Sequence, residues 1–548
     1  MPDIIIKNGL IVDGTNSKPM KGDLLITGDI ISEIGAINKT RSADRKIDAS
    51  NLVISPGFID VHSHFDFSYL SDKFGNYSVM QGITTEIVGN CGLGLAPMNE
   101  VVSNYYKKYI SFVLGSLEIK QFREIEDYMN FIEEDGVSLN VGFLIPQGNV
   151  RAYFMGMEDR KPTDTELKKM KELVRRGMKA GAFGLSTGLI YPPGSITGTE
   201  EIIELSKVVG EFGGVYTTHM RDEGSGVLDS IRETIRIGKE SGAAVQISHM
   251  KAAGSISTGK KVKKMLEMIE NAREEGMDIN GDVYPYTAAN SVLSGLLQPW
   301  VFAGGQEMFQ ENLSNEQKRQ KIIKEFKDYI WELIDIPKVL RIIPRFIWMK
   351  IIMSMLKKRV IITSLMHNHE FEGETLGMTL KSMYPGLNIY DATLNLLKEE
   401  DGAVIISMFL MKNRDVIKLM KSPYLMFSTD NLAPSTGKPH PRVLGTYPRI
   451  LGRCVREQNI ISLEEAIWKM TGLPAKKFEL HDRGTLEVGK KADVVIFNHQ
   501  TIIDTATHQD PISFPIGVSY VIVNGEIVSE NGQHTRKLPG KVLKFNER

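Results

Sequence analysis

Between residues 57 and 430, short apolar runs recur, separated by longer stretches in which charged and apolar residues alternate. The runs are GFIDVH (57–62), ITTEIVGNC (83–91), LNVGFLI (139–145), GAFGLS (181–186), GVYTTH (214–219), AAVQISH (243–249), DINGDVY (278–284) and YLMFSTD (424–430). Their shortness and near-continuous apolar character are those of strands covered on both faces. Several are joined by segments with charged helical faces, such as DTELKKMKELVRRGMKAG (164–181) and GKKVKKMLEMIENAREEG (259–276). Strands alternating with helices predict an α/β fold with a parallel sheet. Eight of them predict a closed (β/α)8 TIM-like barrel, whose functional groups stand at the C-terminal ends of the strands. VIITS (360–364) and AVIIS (403–407) have the same texture and compete for places in that barrel.

The two ends of the chain read differently. Residues 3–55 and the segments ADVVIFN (492–498) and VSYVIVNGEIVSENG (518–532) are short strands punctuated by turns. Neither end holds enough strand for its own core, so the two are expected to pair into one small β-sandwich. This gives a sandwich domain of residues 1–55 plus 485–548 and a barrel domain of residues 56–484.

Residues 300–359 break the repeat and are read as an insertion. From Lys338 to Arg359 there are seven basic residues and no acidic one, interleaved with Ile, Leu, Met, Phe and Trp348. One reading is an amphipathic surface for an anionic membrane or an apolar substrate tail. The favoured reading is a helical cap, its apolar face over the barrel mouth and its basic face in water. Pro337 and Pro344 divide the stretch into short helices.

Composition narrows the classes. A formal net charge of −1 leaves no global field to recruit nucleic acid. No apolar run approaches the roughly 20 residues needed to span a bilayer, and MPDIIIKNGL lacks the pattern of a signal peptide. With only Cys91 and Cys454, disulfides do not organise the fold, and a cytoplasmic enzyme is expected.

The chemistry collects at the predicted strand ends. The first run ends in His62 and His64, two apart and therefore on one face of an extended chain, with Asp60 and Asp66 as neighbouring carboxylates. Cys91 follows the second run, His219 closes the fifth, His249 the sixth and Asp430 the eighth. In a barrel all six open onto one rim. Nitrogen, thiolate and carboxylate together favour zinc over magnesium or calcium. His367 and His369 form a second HxH, read as local hydrogen-bonding residues, and Cys454 is read as structural.

The motifs GFIDVHSHFD, VGNCGLGLAP, GLSTGLIYPPG, TTHMRDEG, ISHMKAAG, DVYPYTA, STDN and HPRVLGTYPRILG occur in this order. As a set they resemble the amidohydrolase superfamily, and within it the N-acyl-D-amino-acid deacylases. The resemblance implies a barrel with a small β-sandwich from both ends, and hydrolysis of N-acyl-D-amino acids. It implies a tight zinc site at Cys91, His219 and His249 and a second, weaker one at His62 and His64. It makes Asp430 the general base and acid, Lys251 and Arg442 clamps for the substrate carboxylate, and Tyr191, Tyr284 and Ser291 pocket residues. The segment after Asp430, NLAPSTGKPHP, lacks the glycine common there in the family. Two other readings stand beside this one. The first is a cyclic-amide hydrolase of the dihydroorotase or hydantoinase type, which normally uses a bridging lysine after the fourth strand, where this chain has none. The second is a scaffold that has lost catalysis. The expected partner is a small N-acyl amino acid, and oligomeric state is left open.

Overall fold

A computed structural model describes every residue except 1–2, 39–40, 110–121, 255–257, 303–305, 335, 337–339, 341, 433–436 and 546–548. Eight strands build the centre: Phe58–Asp60, Ile83–Val88, Asn140–Pro146, Gly184–Gly188, Val215–His219, Ala244–Ile247, Ile279–Val283 and Leu425–Phe427. Each pairs in parallel with the next. These are the eight runs predicted from the sequence. The seam between the eighth strand and the first closes just beyond both, where Ser63 and Asn431 form a parallel bridge. The Asp430 amide donates to the His62 carbonyl and the His64 amide to the Asn431 carbonyl, each at 2.8 Å. The barrel is thus fastened at the rim that carries the histidines.

The helices follow local rules. Asp164–Ala180 begins with Thr163 and Glu166 capping each other's backbone amides and ends on Gly181 in the left-handed region. Its apolar residues Met170, Leu173, Val174 and Met178 are buried, its lysines and arginines are not. The amphipathic pattern that predicted the helix also fixes which side meets the barrel.

Strands from both chain ends share one nine-stranded sheet, joined where Val53–Pro56 runs antiparallel to Val494–Phe497. Ile4, Ile6, Leu24, Ile26, Ile54, Val494, Ile496 and Ile522 give it its own apolar core. The last strand, Val542–Leu543, leaves that sheet and pairs with the third barrel strand.

The excursion between the seventh and eighth barrel strands is larger than the sequence pattern implied. Ala289–Val292, Val360–Ser364 and Ile405–Met408 form a separate antiparallel sheet. VIITS and AVIIS therefore belong here and not to the barrel. With helices that include Glu316–Ile334 and Arg345–Arg359, this sheet encloses an independent core of Phe326, Ile330, Met353, Leu380, Leu397 and Ile406, among others. The expected division into an apolar inner and a basic outer face does not hold for Arg345–Arg359. Met349, Ile352 and Met353 are buried, but Phe346, Ile347, Ile351 and Met355 are exposed beside the lysines. Pro337, Lys338 and Arg341 lie outside the described residues.

Candidate active site

The rim side chains sit on backbone bent away from strand geometry. Cys91, His249 and Asp430 have φ values of 56°, 34° and 49°. Residues with a Cβ occupy this left-handed region at a cost of about 1–3 kcal/mol each, and such strain gathers at functional sites. The turn into Cys91 depends on Gly89, where φ is 77° and a Cβ would lie 2.4 Å from the Leu144 carbonyl oxygen. Only glycine fits that approach.

Six donors converge. Cys91 Sγ lies 3.2 Å from His62 Nε2, 3.8 Å from His219 Nδ1 and 3.7 Å from His249 Nε2. Asp430 Oδ1 lies 3.6 Å from both His62 Nε2 and His64 Nε2. They form three overlapping triads, His62/His64/Cys91, Cys91/His219/His249 and His62/His249/Asp430, with ligand atoms within 4.8 Å of one another. Zinc bonds of about 2.0–2.3 Å in tetrahedral geometry imply ligand-to-ligand edges of roughly 3.3–3.8 Å. The edges from Cys91 Sγ to His219 and His249 meet that spacing.

Buried carboxylates hold these groups in place. Asp60 accepts from the amides of His62 and Thr429, each at 3.1 Å, and ties the first strand to the eighth. Burial pushes its carboxyl up to about 7, and does the same to Asp66. Asp282 accepts from the His249 amide at 2.8 Å, Gln246 Nε2 at 2.9 Å and Ser428 Oγ at 2.6 Å, and its Oδ1 lies 3.7 Å from His62 Nδ1. Glu223 Oε1 is shared, 3.0 Å from His249 Nδ1 and 2.6 Å from Lys251 Nζ. A carboxylate behind a histidine fixes which nitrogen carries the proton and leaves the other for a metal. His249 turns Nε2 toward Cys91 and Nδ1 toward both Glu223 and Lys251 Nζ, the latter at 2.8 Å.

The charges balance across the rim. Burial alone would raise the Cys91 thiol, but the charge on His62 and hydrogen bonds from the imidazoles hold it well below its ordinary value. Burial likewise opposes the Glu223 and Asp430 carboxylates. Lys251, His219 and His249 keep Glu223 ionised, and Arg442 beside Asp430 keeps that carboxyl well below the usual range.

Lys251 and Arg442 flank one aromatic ring. Lys251 Nζ is 5.9 Å and Arg442 Cζ 4.9 Å from the Tyr284 centroid, and the buried Tyr284 hydroxyl has no hydrogen-bond partner among the described residues. Arg442 Nη1 lies 2.9 Å from Asp430 Oδ2. Tyr191 donates to the Cys91 carbonyl at 2.9 Å, and its ring stands edge-on to His219 at 5.4 Å. Ser291 lies exposed on the three-stranded sheet, paired in register with Ile406. His367 and His369 are exposed and pair locally with Asp401 and Glu372.

Sequence reasoning missed Glu223 and Asp282, although both lie inside the motifs it singled out, TTHMRDEG and DVYPYTA. It also missed His440, whose Nδ1 accepts from the Arg442 amide at 3.1 Å at the start of the helix Arg442–Arg449. An acidic residue four places after a strand-end histidine was the available signal for Glu223.

Residues 45–325 and 410–529 match the Amidohydrolase family. The chain is 32% identical over 541 residues to a D-aminoacylase of Alcaligenes xylosoxydans xylosoxydans, covering 99% of this chain and 97% of that one. It is 30% identical over 542 residues to an N-acyl-D-glutamate deacylase of the same organism, covering 99% and 96%. A solved N-acyl-D-glutamate deacylase from Bordetella bronchiseptica, complexed with zinc and a phosphonate mimic of the reaction's tetrahedral intermediate, superposes with a TM-score of 0.82. It is 28% identical and covers 99% of each chain. Eight strand ends, a convergent donor set and end-to-end similarity agree: the chain belongs to the amidohydrolase family.

Proposed function

We propose that this protein is a zinc-dependent N-acyl-D-amino-acid deacylase, which splits the amide into a carboxylate and a free D-amino acid. The observation that carries this reading is the rim itself. A thiolate and imidazoles at zinc spacing stand beside a buried carboxylate, with two cations next to it around Tyr284. Cys91, His219 and His249 would hold the tight zinc, and His62 and His64, with Asp430, a weaker second one. Bound zinc supplies Lewis acidity toward the amide carbonyl and eases deprotonation of water.

The remaining work falls to side chains of the chain. Lys251 and Arg442 receive the substrate's carboxylate. Lys251 acts through its point charge, whereas Arg442 suits a two-pronged contact. Asp430 takes the proton from the attacking water and returns it to the nitrogen as the C–N bond breaks, because an amine leaves poorly as an anion. Arg442 links the two events. A substrate carboxylate that draws on its guanidinium relieves the hold on Asp430, and the base strengthens when substrate is in place. Fixing carboxylate, carbonyl and side chain at three points discriminates between enantiomers.

The cyclic-amide reading has less support. After the fourth strand, Gly184–Gly188, the position of a bridging lysine is taken by LIYPPG, and Tyr191 from that segment holds the Cys91 carbonyl. The scaffold reading conflicts with an intact donor set.

Racemic N-acetyl amino acids, supplied to the zinc-loaded protein, test the selectivity. Conversion is expected to stop at half, with only the L enantiomer remaining. Consumption of both enantiomers, or of the L form alone, contradicts the reading.

A further inference from the structure

The helix Arg345–Arg359 is apolar around most of its circumference, although only one side of it is covered. Helices of that kind are normally buried in a core or lie in a membrane. Here Met349, Ile352 and Met353 pack into the core of the inserted module. On the outer side Ile347, Ile351 and Met355 follow one another at four-residue spacing, all exposed. Phe346, 64% exposed, and Ile342 before it, 87% exposed, stand uncovered at the start of the helix. Met378 is 59% exposed on the adjoining helix Leu376–Met383. Side chains four apart lie one above another, so Ile347, Ile351 and Met355 form one continuous patch.

The charge carried by these two helices themselves has one sign. The two helices carry Arg345, Lys350, Lys357, Lys358, Arg359 and Lys381 and no acidic residue. Arg345 is engaged with Asp328 and lies over the Trp331 ring. Lys350, Lys357, Lys358 and Arg359 are exposed and form no ion pair among the described residues. A second copy of this chain is a poor occupant. A twofold contact through this helix would set these cations against their own copies. A bilayer surface rich in anionic headgroups suits both features, because it accepts apolar side chains at the acyl boundary and cations at the headgroups. No helix among the described residues is long and apolar enough to cross a membrane, so the contact is one of surface and not of span.

We infer that the outer face of residues 342–359 docks the protein on anionic lipid membranes, through Ile347, Ile351 and Met355 with Lys350, Lys357, Lys358 and Arg359. This rests on the exposed helix and not on the reaction assigned to the rim.

The test is flotation of the zinc-loaded full chain with vesicles of phosphatidylcholine alone and of phosphatidylcholine containing about 30% phosphatidylglycerol. Binding is expected only to the anionic vesicles, with release at about 0.5 M salt, where screening shortens to a few ångströms. Lys357→Gln and Lys358→Gln should each weaken partition about 5-fold, and Ile351→Ser should weaken it further. All three variants should leave hydrolysis of a small water-soluble substrate unchanged, which shows that the fold persists. Equal binding to neutral vesicles overturns the inference, because charge then plays no part. No binding to either vesicle also overturns it. So does a dimer, seen by light scattering and dispersed by Ile351→Glu, since a second copy then covers the patch.

Discussion

Asp430→Asn is expected to lower kcat by about 10²–10⁴-fold, the range that a positioned acid or base contributes. The change keeps the side chain's shape and an oxygen toward His62 and His64, but removes the proton acceptor. KM should move far less, because Lys251 and Arg442 remain to receive the substrate carboxylate. Zinc at Cys91, His219 and His249 should be retained, and metal analysis of the variant checks this. If the variant kept zinc and most of its kcat, another group would have to carry the proton. Asp430 would then be reduced to a partner for Arg442, 2.9 Å away.

Glu223→Gln is the second large effect, and it is expected to strike two functions at once. The carboxylate lies 3.0 Å from His249 Nδ1 and 2.6 Å from Lys251 Nζ. A carboxylate that orients a metal-binding histidine typically accounts for 10–100-fold, roughly, in metal affinity. Zinc affinity, read by competition with a chelating dye, should fall by that factor. At saturating zinc KM should also rise, because the ammonium of Lys251 loses the anion that holds it in place. A purely structural role for Glu223 would lower thermal stability without separating these two readouts. A variant that bound zinc as tightly as the parent would remove Glu223 from the metal's support.

What the sequence revealed, and where it stopped, follows from how each feature is encoded. All eight barrel strands were legible, because burial on both faces demands a continuous apolar run and the loops between them supply turns and charged helices. His62, His64, Cys91, His219, His249 and Asp430 were legible because each stands at the end of such a run. The extent of the inserted module was not. VIITS and AVIIS are β-branched and buried like barrel strands, and the antiparallel pairing that sets them apart is a non-local fact. Glu223 and Asp282 were overlooked because an acidic residue beside a histidine looks like an ordinary turn until its partners are in view. The pairing of Arg442 with Asp430 spans two loops and has no local signature. Ser291, named by resemblance alone, lies on a sheet that the sequence pattern did not reveal.

The most direct test is a zinc titration of metal-stripped protein, following amine release from matched N-acetyl-D- and N-acetyl-L-amino acids against zinc bound per chain. No activity is expected without metal. Hydrolysis of the D series should rise to its full value with the first equivalent, and the Cys91→Ala variant should show no such rise. Activity that ignores zinc, or that appears equally with the L series, would contradict it.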